Sequence, residues 1–499
     1  MSITMTPTIS KSQYLRGLQC NKALWLSRNR KDLQLEPSPA KKDILDTGNL
    51  IGKLAMDNYP AGVEVTNEYW DINGAIKATN KYIEDGKNII FEATAMHPIT
   101  GAYSKIDILK RVENTDLWDL IEVKSSTQVK EYHKDDLAFQ YYVFNNSGYK
   151  IRYCYMMLID SSYERNGDID PENILRLIDI SEDVKDKQDK VNKITNKLCN
   201  SLSESKELTE QIGEKCHNPF ECDFKSYCWK HVPDYSIYNV FQKKKAEIID
   251  REYGFLLENL PPKLYPNGLK NIDLECYLNK NINIDKEQIS NFLQSLQYPL
   301  YFFDYETIAP AIPIFQETNP FQQIPFQFSL HVQKNPGDQL IHYEYIHKER
   351  SDPRSVLVEQ LVKRCGKNGS ILVYNKSFEV ARNNELAKKY TQYGDELRAI
   401  NARIIDLMLP FSKRWIYHPD QQGSASLKNV LPAFTDLNYE DLEIGNGSDA
   451  MRLYKTFLEG KLEKKYINTL WDGLSKYCER DTYALWVLLQ IVVKHNGAN

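Results

Sequence analysis

The fold is decided by Leu300-Tyr301-Phe302-Phe303-Asp304-Tyr305-Glu306-Thr307. Four apolar residues in a row are typical of a strand that is buried on both faces. Residues i and i+2 share one face of a strand, so we expect Asp304 and Glu306 to point the same way at its end. Two carboxylates on one face repel each other unless a cation lies between them, and divalent hard ions prefer such oxygen ligands. Taken alone, the spacing also fits two solvated acids on a surface strand.

Three later segments add polar groups to this α/β pattern. A strand-like run at 371–374 is followed by Asn375, and Glu379 comes four residues after the Asn. The run Ile404-Ile405 ends in Asp406, for which we expect a structural role. Tyr477 and Asp481 lie four residues apart in a helical stretch and therefore share one helix face. Together with the first pair of acids, these residues predict one shared site.

With these residues, the segment 296–499 resembles the DnaQ-like exonucleases, which have a ribonuclease H-like fold. The resemblance implies 3′→5′ removal of nucleotides with two divalent ions, Mg²⁺ or Mn²⁺. Tyr477 would orient the attacking water, and Asn375 would contact the nucleic acid. The implied metal ligands are Asp304, Glu306, Glu379 and Asp481. Glu379 stands where that family usually has Asp, which changes the reach of one ligand.

A second set of charged residues lies on consecutive strand-like runs near the N-terminus, at 88–96, 104–111 and 118–124. Asp107 is on the second run, and Glu122 and Lys124 share one face of the third. The acids would hold one Mg²⁺ while Lys124 positions or activates water, and Glu92 on the first run would join them. A helix at 135–145 and an apolar strand at 151–159 are expected to follow.

This order resembles the PD-(D/E)xK nucleases of the RecB type. Gln140 lies where those enzymes have a Gln that contacts nucleic acid, but the Tyr expected four residues later is Phe144. Many members also have a metal-binding His on an early helix, and residues 47–53 contain none. The resemblance therefore implies a nuclease module that either cuts or only binds nucleic acid.

The chain has nine cysteines, and we expect ligands rather than disulfides because the protein reads as cytoplasmic. One early and three late cysteines flank the N-terminal module: Cys20, Cys216, Cys222 and Cys228. This arrangement resembles the iron–sulfur nucleases of the RecB type and implies a [4Fe–4S] cluster. The late cysteines are more widely spaced than in that family, so Zn²⁺ and four separate buried thiols remain alternatives.

Composition narrows the classes of function. The formal net charge is −5, so nucleic-acid binding would depend on local basic patches or bound ions. A G-x-x-x-x-G-K-[ST] phosphate loop is absent from the sequence, which argues against an ATP-driven motor. Neither a membrane span nor an apolar signal-peptide core is evident, and we expect a cytoplasmic location.

We therefore predict an α/β protein in three parts: a RecB-type nuclease module at 1–235, a helical connector at 236–295, and an exonuclease domain at 296–499. The chain resembles a fusion of these modules found among uncharacterised bacterial proteins. DNA repair, defence against mobile elements and nucleic-acid turnover all fit, with helicase or repair proteins as partners. The alternatives are one active exonuclease with a non-cutting N-terminal clamp, an exoribonuclease, and an inactive nucleic-acid adaptor.

Overall fold

The computed structural model describes residues 8–497, and it divides into two compact units. Unit 1 runs to His231 and also takes in Ala311–Pro320; unit 2 comprises Val232–Pro310 and the chain from Phe321. Most of the N-terminal stretch in which we saw no signal peptide lies outside the described residues. Within 8–497, no helix has the length and apolar character needed to cross a membrane.

Unit 1 is built around one six-stranded sheet with helices packed on it. Its helices are α1 (Lys11–Gln19), α2 (Asn21–Asn29), α3 (Pro39–Asp57), α4 (Ile72–Glu84), α5 (Glu131–Asn146), α6 (Pro171–Ile174), α7 (Ser181–Asp186), α8 (Gln188–Leu202) and α9 (Lys225–Cys228). Its strands are β1 (Val63–Glu64), β2 (Ile89–Met96), β3 (Tyr103–Arg111), β4 (Leu117–Lys124), β5 (Lys150–Ile159) and β6 (Leu175–Asp179).

The strands of this sheet follow one another in chain order, from β1 to β6. β2, β3 and β4 form an antiparallel meander, and β5 then pairs parallel to β4. A parallel neighbour requires a crossover, which α5 provides. Apolar residues of α5, among them Phe139 and Phe144, pack with Ile106 and Leu120 of the sheet. Ile51 of α3 belongs to a second cluster. The sheet therefore has two hydrophobic cores.

Unit 2 contains a five-stranded sheet and a two-stranded ribbon. Its helices are α10 (Ile237–Val240), α11 (Lys243–Tyr253), α12 (Leu269–Asn279), α13 (Lys286–Gln294), α14 (Arg354–Arg364), α15 (Lys376–Lys389), α16 (Gly394–Ala402), α17 (Leu409–Ser412), α18 (Leu427–Phe434), α19 (Gly447–Leu458) and α20 (Ile467–Asn496). Its strands are β7 (Asn283–Ile284), β8 (Leu300–Ile308), β9 (Ile324–Gln333), β10 (Ile341–Ile346), β11 (Ser370–Val373), β12 (Ile404–Asp406) and β13 (Ile416–Tyr417).

The large sheet of unit 2 has the order β10-β9-β8-β11-β12. β8, β9 and β10 are antiparallel, whereas β11 and β12 run parallel to β8. Every residue of β8 except Asp304 is buried, as its apolar run predicts. Tyr301 and Phe303 pack into a cluster with residues of α14, α15 and α16. The α/β class predicted from the sequence is confirmed, with a mixed sheet in each unit.

The segment 236–295 differs from the separate connector that we expected, because it belongs to unit 2. The guanidinium of Arg414 donates to both carboxylate oxygens of Asp273 on α12, at 2.6 and 3.0 Å, and both side chains are buried. β7 also pairs with β13. Isolated buried charges are costly, so this ion pair ties the segment to the sheet domain. The polar composition of the segment 236–295 did not indicate these contacts.

Candidate functional site

The first two acids of unit 2 lie within β8 and not at its end, since the strand continues to Ile308. Asp304 and Glu306 are the register partners of Ser329 and Gln327 on β9, and a bulge follows Glu306. One ligand atom each from Asp304, Glu306 and Cys478 of α20 lies within 4.8 Å of the others. Both carboxylates therefore lie on the sheet face that α20 covers.

Helix α20 brings Asp481 and Tyr477 to these acids. Asp481 accepts a hydrogen bond of 2.5 Å from the hydroxyl of Tyr439, and the hydroxyl of Tyr477 also hydrogen-bonds to it. Both tyrosines are buried. Tyr439 was missed by the sequence analysis because it lies in the irregular segment between α18 and α19, where no spacing marks it.

Glu379 enters from the first turn of α15, next to a tight turn. Asn375 before this helix has a positive φ of 77°, a conformation that Asn tolerates better than most residues. Asp406 accepts hydrogen bonds from the backbone N–H groups of Asn375 and Lys376, which agrees with its expected structural role. The Glu379 side chain is 2% exposed, and its Oε2 has no hydrogen-bond partner among the described residues. Such an orphaned buried oxygen suits a metal ligand.

The pKa values of all four acids are raised. Burial raises the pKa of Asp304 and of Glu306 well above the usual range, and the nearby carboxylate of Asp481 adds to both rises. Burial also raises the pKa of Glu379 to about 8 and that of Asp481 to about 6. Because each carboxylate makes ionisation of its neighbours harder, a bound divalent cation would relieve the repulsion. The oxygen-rich donor set fits Mg²⁺ or Mn²⁺.

One cation, Lys428, lies beside this cluster. Its ammonium group donates to the carbonyl of Gly445 at 2.6 Å and lies over the rings of Tyr439 and Tyr477. Its charge lowers the pKa values of Glu306 and Asp481, against the larger effect of burial. The sequence analysis assigned no role to Lys428.

In unit 1, the predicted acids lie on three neighbouring strands. The register pairs Ile106 with Ala93 and Ile108 with Ile121, which sets Asp107 between the positions of Glu92 and Glu122. Asp107 also accepts the backbone N–H of Val123 at 2.6 Å. Glu92 has a positive φ of 55°, which is strained for this residue type.

Two lysines neutralise part of this second cluster. The ammonium groups of Lys11 and Lys124 lie 2.7 and 2.6 Å from the same oxygen of Glu122, and Lys124 also reaches Asp136 at 2.7 Å. Gln140 is fully buried, and its amide nitrogen donates to Glu122 at 2.7 Å and to Asp136 at 3.2 Å. Gln140 thus orients acids here, whereas Asn375 of unit 2 is exposed. Sequence spacing did not reveal Lys11 or Asp136, which come from helices α1 and α5.

The pKa shifts in this cluster differ between Glu122 and the other two acids, Glu92 and Asp107. Burial by itself would raise the pKa of Glu122, but the two lysines lower it below the usual range. Burial and the charge of Glu122 raise the pKa of Asp107 to about 7, and burial raises that of Glu92. Glu92 and Asp107, whose pKa values are raised, therefore fit a single divalent ion.

The four predicted cysteine ligands are brought together. Cys20, Cys222 and Cys228 pack around one hydrophobic cluster with Phe224, and the N–H of Cys222 donates to the carbonyl of Cys216 at 2.9 Å. Burial raises the pKa of Cys222 to about 11, and the other three thiols add to that rise. Mutually destabilised thiolates fit a bound metal centre, because a metal deprotonates coordinating thiols. All four are free thiols.

Comparison with known proteins places part of unit 2 near a described family. A family model described as a domain of unknown function (DUF2779) matches residues 301–426, which include Asp304, Glu306 and Glu379. The chain is 27% identical over 231 residues, 42% of its length, to uncharacterized protein MG366 of Mycoplasma genitalium. It is 27% identical over 241 residues, also 42% of its length, to uncharacterized protein UU173 of Ureaplasma parvum. The chain spans about a third of the length of these relatives, 34% and 33%.

Proposed function

We propose that this chain is a metal-dependent nuclease whose main site is a DnaQ-like 3′→5′ exonuclease centre in unit 2. The observation that carries the proposal is the convergence of four carboxylates, three of them buried and that of Asp304 partly buried, with Lys428 beside them. These acids are Asp304, Glu306, Glu379 and Asp481. Such a group is stable at neutral pH only with bound cations or bound protons.

The strand order of unit 2 supports the same assignment. A ribonuclease H-like sheet is expected to have three antiparallel strands and then two strands that run parallel to the first. The expected spatial order of the strands is third-second-first-fourth-fifth. The first acids lie on the central strand β8, and the last lies on α20 across that sheet face. This is the layout that the resemblance to DnaQ-like exonucleases implies.

The residues of this site would have different roles in phosphodiester hydrolysis. Two divalent ions would lower the pKa of a water and stabilise the leaving 3′ oxygen. Burial and the neighbouring carboxylates raise the pKa of Tyr477, so its phenol stays protonated. Its proton is donated to Asp481, and its oxygen can accept a hydrogen bond from a water and so orient it. Tyr439 fixes Asp481 by its short hydrogen bond. Lys428 supplies positive charge next to the acids and can stabilise a bound phosphate.

For unit 1 we propose a RecB-type module with a [4Fe–4S] cluster held by Cys20, Cys216, Cys222 and Cys228. The set Glu92, Asp107 and Lys124 supports a second hydrolytic site. The pairing of Glu122 with two lysines favours the alternative, a module that binds nucleic acid without cutting it. A carboxylate already neutralised in this way is a weaker metal ligand than the acids of unit 2.

The test is digestion of 3′- and 5′-labelled single-stranded DNA with Mn²⁺. We expect stepwise loss from the 3′ end by the wild type and its abolition in Asp304→Asn, while the exposed control Asp395→Asn stays active. Glu122→Gln shows whether unit 1 contributes a second cut. If DNA is left intact but RNA is degraded by the same residues, the protein is an exoribonuclease. If neither is cut and Mn²⁺ does not bind, the inactive adaptor replaces the proposal.

A further inference from the structure

A second type of candidate metal site lies on the same sheet face, one step along β9 from the acids. His331 of β9 and His342 of β10 are direct cross-strand partners, and their rings stack with centroids 4.5 Å apart. Glu479 of α20 approaches them, with a carboxylate oxygen 3.7 Å from Nδ1 of His342. One ligand atom of each of the three residues lies within 4.8 Å of the others.

Each imidazole has one ring nitrogen against a hydroxyl. The hydroxyl of Thr482 lies 2.9 Å from Nδ1 of His331 and 3.3 and 3.2 Å from the backbone carbonyls of Cys478 and Glu479. A carbonyl can only accept, so when the Thr482 proton goes to the helix backbone, the Thr482 oxygen accepts from Nδ1 of His331. In this arrangement Nε2 of His331 has a free lone pair.

The same hydrogen-bond arrangement reaches His342. With the Thr482 proton on the helix backbone, the Ser329 hydroxyl donates to Thr482 at 2.7 Å and accepts from Nε2 of His342 at 2.9 Å. Nδ1 of His342, which lies 3.7 Å from a carboxylate oxygen of Glu479, then has a free lone pair. One hydrogen-bond arrangement therefore leaves a free lone pair on both imidazoles.

The two imidazoles and the carboxylate form a preorganised set of possible metal ligands. One ligand atom of each residue lies within 4.8 Å of the other two, and in this arrangement both imidazoles have a lone pair that a shared cation can use. Hydrogen bonds to the far ring nitrogen are what metal-binding histidines use to fix tautomer and orientation. Two His and one carboxylate suit Zn²⁺ or a similar transition ion, whereas Mg²⁺ prefers oxygen ligands alone. The chemistry therefore differs from that of the four-acid site.

We propose that His331, His342 and Glu479 bind a transition-metal ion of the Zn²⁺ class with three protein ligands. Such an ion would link helix α20 to strands β9 and β10. Ser329 is also the register partner of Asp304, and Thr482 follows Asp481 in α20. The ion would thus brace the two elements that carry these acids. This inference does not depend on nuclease activity, because it concerns binding alone.

The experiment is calorimetric titration of Zn²⁺ into the metal-stripped full-length protein, with millimolar Mg²⁺ present to fill the oxygen-ligand site. We expect His342→Gln and Glu479→Gln each to bind one Zn²⁺ fewer per chain than the wild type. Both side chains are partly exposed, at 24% and 48%, so these variants should fold. Ser329→Ala should keep the site but weaken Zn²⁺ binding about 10- to 100-fold, because it frees the far nitrogen of His342.

The matched control is His495→Gln, which removes another histidine from helix α20 and should leave the Zn²⁺ stoichiometry unchanged. Zn²⁺ taken up by the cysteines of unit 1 is common to all variants and cancels in the comparison. Co²⁺ substitution gives a second readout, since its visible spectrum should lose a component in His342→Gln. Equal stoichiometry in wild type, His342→Gln and Glu479→Gln would overturn the proposal and leave a plain His–Glu contact.

Discussion

At the scale of single residues, the unit 2 site is defined by a charge imbalance. Glu306 and Asp481 are buried next to the partly buried Asp304, and the charge of Lys428 lowers the pKa values of Glu306 and Asp481. Glu379 completes the set through a side chain one methylene longer than the Asp usual in DnaQ-like enzymes. Without metal, the excess negative charge of the carboxylates lowers the stability of the fold. Such a loss of stability is characteristic of sites maintained for function.

Glu379→Gln tests this cost through the pH dependence of stability. The pKa of Glu379 is raised to about 8, so its protonated form stabilises the fold at low pH and this stability is lost as the pH rises through 8. In metal-free protein, the free energy of unfolding of the wild type should fall relative to the variant between pH 5 and pH 9. We expect a difference on the order of a few kcal/mol, measured by urea unfolding in EDTA.

The control for this measurement is Glu396→Gln, which changes an exposed glutamate on α16. Its unfolding free energy should run parallel to that of the wild type across the whole pH range. If the unfolding free energy of Glu379→Gln also runs parallel to that of the wild type across the pH range, Glu379 does not need a bound proton or cation in the folded protein. Added Mn²⁺ should reverse the order and make the wild type the more stable protein at pH 8.

Lys428→Met should separate metal binding from catalysis. Removing the ammonium group deepens the negative potential at Glu306 and Asp481, so Mn²⁺ should bind more tightly. Hydrolysis should nevertheless slow on the order of 10²-fold, because positive charge next to the phosphate is lost. Calorimetry and single-turnover digestion measure the two effects. The control is Lys465→Met, an exposed lysine in a 3₁₀ turn; weaker Mn²⁺ binding in Lys428→Met would contradict this account.

At the scale of elements, helix α20 organises unit 2. It spans Ile467–Asn496, carries Tyr477 and Asp481 on a buried face, and brings the exposed Glu479 close to His342 of β10. The amide of Gln327 on β9 donates to the carbonyl of Leu474 at 2.9 Å, which ties the helix directly to the strand. In unit 1 the comparable structural element is the cysteine cluster, which joins the start of α2 to the segment around α9.

Cys222→Ser tests that cluster. Loss of one thiolate should remove the proposed metal centre, and because binding of such a centre would contribute to folding, unit 1 should melt earlier. Each kcal/mol lost lowers the Tm of a unit of this size by roughly 2–4 °C. Metal analysis and visible absorbance distinguish iron–sulfur from zinc in the same samples. Cys199→Ser on α8 is the matched control; equal metal content in Cys222→Ser and wild type would contradict the assignment.

At the scale of the whole molecule, the chain passes between the two units three times. Residues 311–320 belong to unit 1 although unit 2 flanks them on both sides. Ala311 packs in the hydrophobic cluster that contains Ile51 and Met157. The backbone N–H of Arg165 donates to the carbonyl of Thr318, and that of Glu317 donates to the carbonyl of Arg165. The covalent order of the segments therefore differs from their spatial grouping.

Arg165→Ala tests this insertion in the full chain. The guanidinium of Arg165 donates to the carbonyls of Pro313 and Ile314, at 3.1 and 2.5 Å. Its removal leaves these carbonyls without their charged donor, at a cost of about 1–3 kcal/mol. Hydrogen exchange should speed up in 311–320 by roughly tenfold or more, with little change in β8. Exposed Arg398→Ala is the control, and unchanged exchange in 311–320 would mean that other contacts hold the segment.

The local features of this protein could be predicted from its amino-acid sequence. The apolar run before Asp304, the two-residue spacing to Glu306 and the four-residue spacing of Tyr477 and Asp481 follow from strand and helix periodicity. So do the consecutive strands that carry Asp107 and Glu122, and the α/β class as a whole. These features depend on neighbours in the chain, which the sequence contains.

The distant side chains that complete each site could be identified from the folded chain alone. Tyr439 and Lys428 join the acids of unit 2, and Lys11 joins those of unit 1, although no short spacing connects them to their partners. The pairing of His331 with His342 depends on the register of β9 and β10, and Glu479 reaches them only because α20 packs across both strands. Long-range packing sets these contacts, and a pattern read along one chain segment does not contain the distance between two segments.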